Sequence, residues 1–148
     1  MKILVIHGPN LNLLGKRKKE IYGNKSLTSI NSLLKKQAIE LGMELSIIQS
    51  NSEGALIDFL QAESPKAEGI IINPGALTHY GLSLRDALTD TNLPLIEVHL
   101  SNIYSREDWR HKSVIAPISR GQISGLGWKG YLIALRTLVA DIRGEDWI

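Results

Sequence analysis

The chain contains no cysteine and only one phenylalanine, and aromatic residues make up just 5% of its 148 residues. Without cysteine it can form neither a disulfide framework nor a thiolate metal site. The four histidines, at positions 7, 79, 99 and 111, do not show the paired spacing of metal ligands. We therefore expect no metal centre.

The chain also lacks a large excess of either charge, because 17 Lys and Arg residues against 15 Asp and Glu residues leave a net charge of only +2. That excess is too small to indicate nucleic acid as a partner. No apolar run approaches the roughly 20 residues that span a bilayer, and Gly8-Pro9 interrupts the first run too early for a signal peptide. We expect a cytoplasmic protein with neither a nucleic-acid nor a membrane partner.

Apolar residues, by contrast, are plentiful: the hydrophobic fraction is 43%. That fraction, over this length, predicts one domain covering residues 1–148. Strand patterns fall at residues 2–7, 43–47, 69–72, 94–99 and 113–115. Helix patterns begin at Ser26 and end at Gly42, run from Ser52 to about Ala62, and recur at 82–88 and 130–142.

Five strands separated by helices predict a parallel sheet with right-handed crossovers. Residues 43–47 alternate between apolar and polar, as an edge strand does, whereas 69–72 are apolar enough to be covered on both faces. This pattern favours the strand order 2-1-3-4-5 of a flavodoxin-like three-layer α/β sandwich.

Polar side chains follow the first, third and fourth predicted strands. In open α/β sheets, ligands bind just outside the carboxyl ends of the strands. The residues predicted at these ends are Asn10, Asn12, Asn73, His79, His99 and Ser101. The sequence therefore predicts a site at this edge of the sheet.

His99 and Glu97 are two residues apart in one predicted strand, so both side chains lie on the same face. A carboxylate in a central strand is costly to bury unless it is hydrogen-bonded or paired. Glu97 could therefore orient His99 and keep its imidazole able to exchange a proton. We expect His99 to act in the reaction.

The segment after strand 1, residues 16–23, is called the basic loop here; it carries Lys16-Arg17-Lys18-Lys19 and ends in Tyr22-Gly23. It can fold over the predicted site. A nearby guanidinium favours the phenolate form of a tyrosine, and Arg17 cannot lose its own proton. Tyr22 is thus a candidate base, and the lysines could attract an anionic substrate.

Further groups are predicted near the site. Arg106 and Arg110 are four residues apart and are expected on one helix face, where one of them could hold a hydroxyl or a carboxylate. The backbone N–H groups of Leu100 and Ser101 could also bind a carboxylate. Asp86 is expected farther away, at a rim or an interface.

Gly125-Leu126-Gly127-Trp128-Lys129-Gly130 fits the G-x-G-x-x-G pattern of dinucleotide-binding proteins. That fingerprint requires a complete βαβ unit, whereas this match opens the last predicted helix and no strand follows. We interpret these glycines as permitting close packing of a helix on the sheet.

Several motifs occur in order over nearly the whole chain: residues 8–15 (GPNLNLLG), 21–23 (IYG), 49–51 with 53–54, 71–76 (IINPGA) with 78–79, 84–88 (LRDAL), and 97–102 (EVHLSN) with 106–107 and 110. Together they resemble type II dehydroquinases. The resemblance implies a flavodoxin-like fold and a homododecamer built as a tetramer of trimers. It implies reversible loss of water from 3-dehydroquinate to 3-dehydroshikimate through an enolate, in the shikimate pathway of aromatic amino-acid biosynthesis. No metal, Schiff base or other cofactor would take part.

The resemblance also implies residue roles. Tyr22, as phenolate, would remove the proton next to the ketone, supported by Arg17. Asn10 would stabilise the enolate through a water molecule, His99 would protonate the leaving hydroxyl, and Glu97 would position the catalytic groups. The substrate would be held by Asn73, His79 and Arg110 at its hydroxyls, by the amides of Leu100 and Ser101 at its carboxylate, and by Asp86 of a neighbouring subunit.

The basic loop departs from the family, because Lys18-Lys19 stands where Glu-Pro is common. Losing a proline removes a residue that stiffens the backbone, so we predict a more mobile loop and a stronger salt dependence of substrate capture.

Two alternative functions use the same fold. A flavin mononucleotide-binding module needs a Ser/Thr-rich phosphate loop and aromatic residues, and a receiver-type signalling module needs clustered acids where Asn10 and Asn73 stand.

Overall fold

Five parallel strands form one sheet in the order β2-β1-β3-β4-β5 in the structure, a computed structural model that describes residues 1–146. The strands are β1 (Lys2–His7), β2 (Glu44–Gln49), β3 (Gly69–Asn73), β4 (Leu95–His99) and β5 (Gly121–Ser124). The helices are α1 (Lys19–Tyr22), α2 (Leu27–Glu40), α3 (Glu53–Glu63), α4 (Leu82–Asp90) and α5 (Lys129–Arg143). The predicted flavodoxin-like strand order is confirmed.

The two longer helices in the first half of the chain begin where the sequence predicts. The Ser26 side chain accepts a hydrogen bond from the N–H of Ser29, and the Ser52 side chain accepts one from the N–H of Ala55, both at 3.2 Å. Each serine satisfies a backbone donor that the first helical turn leaves without a partner. Both residues are therefore N-caps, of α2 and α3.

Apolar cores cover both faces of the sheet. On one face α2 and α5 pack against Val5, Ile71 and Val98, and on the other α3 and α4 pack against Ile70 and Ile72. The isoleucines of β3 are fully buried. Burying a side chain of this size contributes about 1.5–3 kcal/mol, so the central strands anchor the edge at which they end.

The fifth strand is not at residues 113–115, as the sequence pattern predicts, but at Gly121–Ser124. Residues 113–115 form an irregular segment in which the Ser113 Oγ accepts hydrogen bonds from the N–H groups of Ile115 (3.0 Å) and Ala116 (2.9 Å). Ile115 is fully buried beneath it. The apolar run there reflects a buried loop, whereas β5 is short and carries only one large apolar residue, Ile123.

The glycine-rich match lies between β5 and α5. A Cβ on Gly130 would stand 3.3 Å from Ile123 and 3.4 Å from Val98, which is tight. Although β5 precedes the match, α5 is the last element among residues 1–146 and no strand follows it there. The interpretation as a close helix–sheet contact is confirmed for Gly130 alone, because Gly125 and Gly127 instead adopt positive φ, 91° and 62°, in the turn before α5.

Candidate active site

A cleft opens at the carboxyl ends of β1, β3 and β4. It is lined by Pro9, Asn10, Leu11, Arg17, Tyr22, Asn73, Gly75, Ala76, His79, His99, Leu100, Ser101, Ile103, Arg106 and Arg110. Nine of the eleven predicted site residues are in this set. The other two are Glu97, which lies buried behind His99, and Asp86, which is exposed on α4 outside the cleft.

The floor of the cleft forms where the ends of β1 and β3 meet. The N–H of Gly8 donates to the carbonyl oxygen of Asn73 at 2.8 Å, and a Cβ at position 8 would lie 2.3 Å from the Pro74 oxygen. Only glycine fits so close to a carbonyl oxygen. The next turn places Asn10 in the left-handed region, with φ 70°, where its N–H donates to Asn51 Oδ1 at 2.9 Å.

Tyr22 is held at the mouth of the cleft by two guanidinium groups. Its hydroxyl accepts a hydrogen bond from Arg17 Nη2 and another from Arg106 Nη2, each at 3.0 Å. The guanidinium carbons lie 4.0 Å and 5.2 Å from the ring centroid. Two positive charges therefore lie at one phenol oxygen, the atom that carries negative charge when a tyrosine acts as a general base.

Arg106 and Arg110 do not share an α-helical face, contrary to the prediction from their spacing. Separate 3-10 turns, Ile103–Ser105 and Asp108–Arg110, place them differently. Arg106 reaches Tyr22 and also donates to Ser101 Oγ at 3.1 Å. Arg110 pairs with Glu107 and lies 4.0 Å from the centroid of the Trp109 ring.

His99 lies at the end of β4 with its ring Nε2 hydrogen-bonded to Oε2 of Glu97. Glu97 is fully buried and His99 is 5% exposed. Because Glu97 occupies Nε2, the Nδ1 atom of His99 is the one left to exchange a proton with a molecule in the cleft. The predicted pairing of these two side chains is present in the structure.

Neutral donors surround the Glu97 carboxylate. Thr78 Oγ1 donates to Oε2 at 2.7 Å, Ser113 Oγ to Oε1 at 2.8 Å, and Gln122 Nε2 to Oε2 at 3.0 Å. Burial raises the pKa of Glu97, but the hydrogen bond and charge of His99 and the bonds from Thr78 and Ser113 outweigh it and hold the pKa below its ordinary value. Glu97 is thus a buried anion.

His79 faces His99 across the cleft. Its Nδ1 hydrogen-bonds the carbonyl oxygen of Lys112 at 2.8 Å, and its ring meets the Trp109 ring edge-on at 5.3 Å. Burial lowers its pKa, the Lys112 bond opposes this, and the positive charges of His99 and Arg110 lower it further. A neutral His79 that donates through Nδ1 keeps Nε2 as an acceptor for a hydroxyl.

Sequence reasoning missed Thr78, Ser113 and Gln122, and left the role of Arg106 undecided. Gln122 pairs directly with Glu97 in the β4–β5 register, so its role depends on the strand that the prediction misplaced. Ser113 fell inside that misplaced strand. Thr78 stands beside His79 in the sequence, but no spacing rule connects it with Glu97.

Within residues 1–146, no group of three or more His, Asp or Glu side chains is arranged to hold a metal ion. In the same part of the chain, no helix has the length and apolar character needed to cross a membrane.

A flavodoxin-like sheet with a tyrosine held by two guanidiniums and a histidine–carboxylate pair in one cleft defines an enzyme equipped for acid–base chemistry. The model of the family Dehydroquinase class II matches residues 1–139. The 3-dehydroquinate dehydratase of Roseiflexus castenholzii is 64% identical over 98% of this chain and 92% of its own length. That of Herpetosiphon aurantiacus is 61% identical over 91% of this chain and 94% of its own length.

A solved structure agrees with these relatives. The type II dehydroquinase from Butyrivibrio crossotus superposes with a TM-score of 0.91 at 47% identity, covering 93% of this chain and 97% of that one. The chain belongs to the class II dehydroquinase family.

Proposed function

We propose that the protein catalyses the reversible loss of water from 3-dehydroquinate, giving 3-dehydroshikimate through an enolate. The observation that carries this proposal is the presence of a guanidinium-bound Tyr22 and a carboxylate-bound His99 in one cleft. A β-elimination next to a ketone needs these two functions: a base for the carbon-bound proton and an acid for the leaving oxygen.

Tyr22 is the base. As phenolate it takes the proton on the carbon next to the ketone; the electron pair of that C–H bond forms the enolate double bond, and the π pair of the carbonyl moves to the ketone oxygen. Arg17 and Arg106, each 3.0 Å from the phenol oxygen, stabilise the phenolate before the step. Asn10, whose left-handed backbone places it on the cleft wall, stabilises the enolate oxygen through a water molecule.

His99 is the acid. When the enolate reforms the carbonyl, its C=C electron pair forms the new ring double bond, the bond to the leaving hydroxyl breaks with its electron pair on oxygen, and Nδ1 of His99 supplies the proton that turns that hydroxyl into water. The Nε2 proton stays on the imidazole, directed at Glu97. Glu97 therefore stabilises the imidazolium before the step and fixes the tautomer after it, without itself taking a proton.

The remaining polar groups of the cleft hold the substrate. Asn73, His79 and Arg110 bind ring hydroxyls, and the backbone amides of Leu100 and Ser101 bind the carboxylate. None of these roles uses a metal, a Schiff base or another cofactor.

The assembly is proposed to be a homododecamer of four trimers. Asp86 is exposed on α4 and outside the cleft of its own chain, so it is free to reach the cleft of a neighbouring copy. The enzyme is proposed to act in the cytoplasm, in the shikimate pathway to aromatic amino acids.

The test follows the ultraviolet absorbance of the enone product as it forms from 3-dehydroquinate, in wild type, Tyr22→Phe and His99→Ala. Each variant should lose about 10²- to 10⁴-fold in kcat, as expected when a general base or acid is removed. Tyr80→Phe is the matched control because Tyr80 is 66% exposed and outside the cleft. Wild-type turnover in both variants would refute these roles, and turnover unchanged by EDTA or borohydride is the expected result for a route without metal or imine.

A further inference from the structure

A chain of hydrogen bonds leaves the back of the cleft and reaches the surface through two residues that the mechanism does not use. The Tyr104 hydroxyl donates to Gln122 Oε1 at 2.6 Å, and Gln122 Nε2 donates to Glu97 Oε2 at 3.0 Å. That Oε2 atom is also the one bound to His99 Nε2. Tyr104 is 51% exposed, so the chain connects a surface phenol to a buried carboxylate.

Gln122 differs from the other neutral partners of Glu97. The hydroxyls of Thr78 and Ser113 can rotate to donate or accept, and they also lie within hydrogen-bond distance of each other, at 3.0 Å. The amide nitrogen of Gln122 can only donate. It is therefore compatible with an ionised Glu97 oxygen and opposes a protonated one at the same place.

Tyr104 fixes which end of the Gln122 amide faces Glu97. With the hydroxyl hydrogen of Tyr104 on Oε1, the N–H₂ end is turned inward. The pairing of Glu97 with Gln122 in the register of β4 and β5 sets this geometry in the backbone. Neither contact depends on the basic loop or on a bound substrate.

We infer that Gln122, oriented by Tyr104, is a positioning residue for the acid of the reaction: it fixes the Glu97 carboxylate so that Oε2 accepts the Nε2–H of His99. This inference rests on the proposed role of His99. The expected consequence is that Gln122 offsets part of the negative charge on the Oε2 atom that faces Nε2, which makes His99 a stronger acid toward the leaving hydroxyl than it would be without Gln122.

Other charged groups also face this pair. His79 acts on it electrostatically from across the cleft, and Arg17, Tyr22, Arg106 and Arg110 line the same cleft. The test leaves all of them intact. It uses Gln122→Met, which keeps the unbranched length but removes the donor, and Tyr104→Phe, which keeps the ring but releases the amide. Gln61→Met, at an exposed position on α3, is the matched control.

Two measurements are made on each folded variant: kcat and KM across the pH range in which histidine titrates, and the titration of His99 by NMR on histidine-labelled protein. We expect Gln122→Met to lower kcat about tenfold, the scale of one hydrogen bond to a charged group, with KM within about twofold. Because Glu97 stays ionised but loses the Gln122 donor, the kcat limb that reports loss of the acid and the His99 midpoint should both move to higher pH. Tyr104→Phe should move them the same way by less, and Gln61→Met not at all.

An unmoved His99 midpoint in Gln122→Met overturns the inference, as does a kcat loss that is uniform across pH and follows a lower melting temperature. The NMR titration needs no turnover, so it reads out the role of Gln122 independently of the reaction. Full activity in Tyr22→Phe would instead count against the proposed function.

Discussion

The two ends of the cleft are built by different means. Tyr22 belongs to α1, a four-residue helix with no buried residue, and two arginines from separate segments hold its hydroxyl. His99 and Glu97 belong to β4, whose five residues are all buried. The base is therefore positioned by charged groups in a partly buried setting, and the acid by hydrogen bonds inside the sheet.

This contrast has a physical consequence. Interactions between charges near water are weakened by salt, and one such charge can compensate for the loss of another. A buried carboxylate, in contrast, loses much of its stabilisation when a group that pairs with it is removed. We expect the acid end to respond to pH and to single substitutions, and the base end to respond to ionic strength and to combined substitutions.

The largest effect is expected at Glu97. Glu97→Gln keeps the shape but puts a neutral amide among donors arranged for an anion, so kcat should fall about 10³-fold, within the range for loss of general acid catalysis. Glu63→Gln is the matched control, because Glu63 forms only a partly exposed ion pair with Lys2 at 3.7 Å. A loss below tenfold in Glu97→Gln would mean that the buried anion does not support the acid.

The next largest effect is expected when both guanidiniums at Tyr22 are removed. Arg17→Met or Arg106→Met alone should lower kcat about tenfold, because the other guanidinium remains, and the double variant should lose more than 10²-fold. Arg120→Met, which breaks an exposed pair with Asp141 at 3.3 Å, serves as the control. If either single variant is as slow as the double variant, one arginine supplies all of the support.

A third prediction concerns His7, at the end of β1 beneath the cleft. It is fully buried, with Nδ1 bonded to the Tyr131 hydroxyl at 2.9 Å and Nε2 to Asn31 Oδ1 at 2.8 Å. Burial lowers its pKa from 6.5 to about 4, against the opposing bond from Asn31. The unfolded chain therefore binds a proton that the folded chain excludes, and stability is lost as pH falls from 6.5 to about 4.

The loss from His7 across that window should be about 3 kcal/mol, since one pKa unit corresponds to about 1.4 kcal/mol. Denaturant unfolding at several pH values measures it, with His7→Gln as the variant that lacks the His7 part of the slope and keeps the smaller part expected from His79, whose pKa is also lowered. The pKa of Glu97 is lowered from its ordinary value of 4.5. Its contribution to stability is therefore lost only as the pH falls below 4.5. A slope unchanged in His7→Gln would assign the acid sensitivity to another group.

The way the site is built also explains which of its residues and contacts could be predicted from the sequence. β3 and β4 are apolar runs that end in Asn73 and His99, so the sheet edge and its strand-end residues could be predicted from local patterns. Glu97 and His99 share a face by the period of two. The Thr78, Ser113 and Gln122 contacts could not be predicted, because they join segments separated by 16 to 25 residues through strand register and loop path.

The smallest effect is expected from salt, and it sharpens the comparison most directly. Lys16, Lys18 and Lys19 are exposed on the basic loop beside the cleft. Their attraction for an anionic substrate extends over a Debye length of about 10 Å at 0.1 M salt. Raising ionic strength from about 0.02 to 0.2 M should therefore lower kcat/KM about three- to fivefold, with kcat nearly constant.

Replacing Lys18 and Lys19 together by Gln should flatten that salt dependence, because the charge that attracts the substrate is removed while Arg17 and Tyr22 stay. The matched control replaces Lys35 and Lys36, an equally exposed adjacent pair on α2, and should leave the slope unchanged. The pH limb assigned to His99 should be the same in all three proteins, because Glu97 is buried out of reach of mobile ions. If replacing Lys35 and Lys36 flattens the salt dependence of kcat/KM as much as replacing Lys18 and Lys19, the net charge of the protein attracts the substrate, not the basic loop in particular.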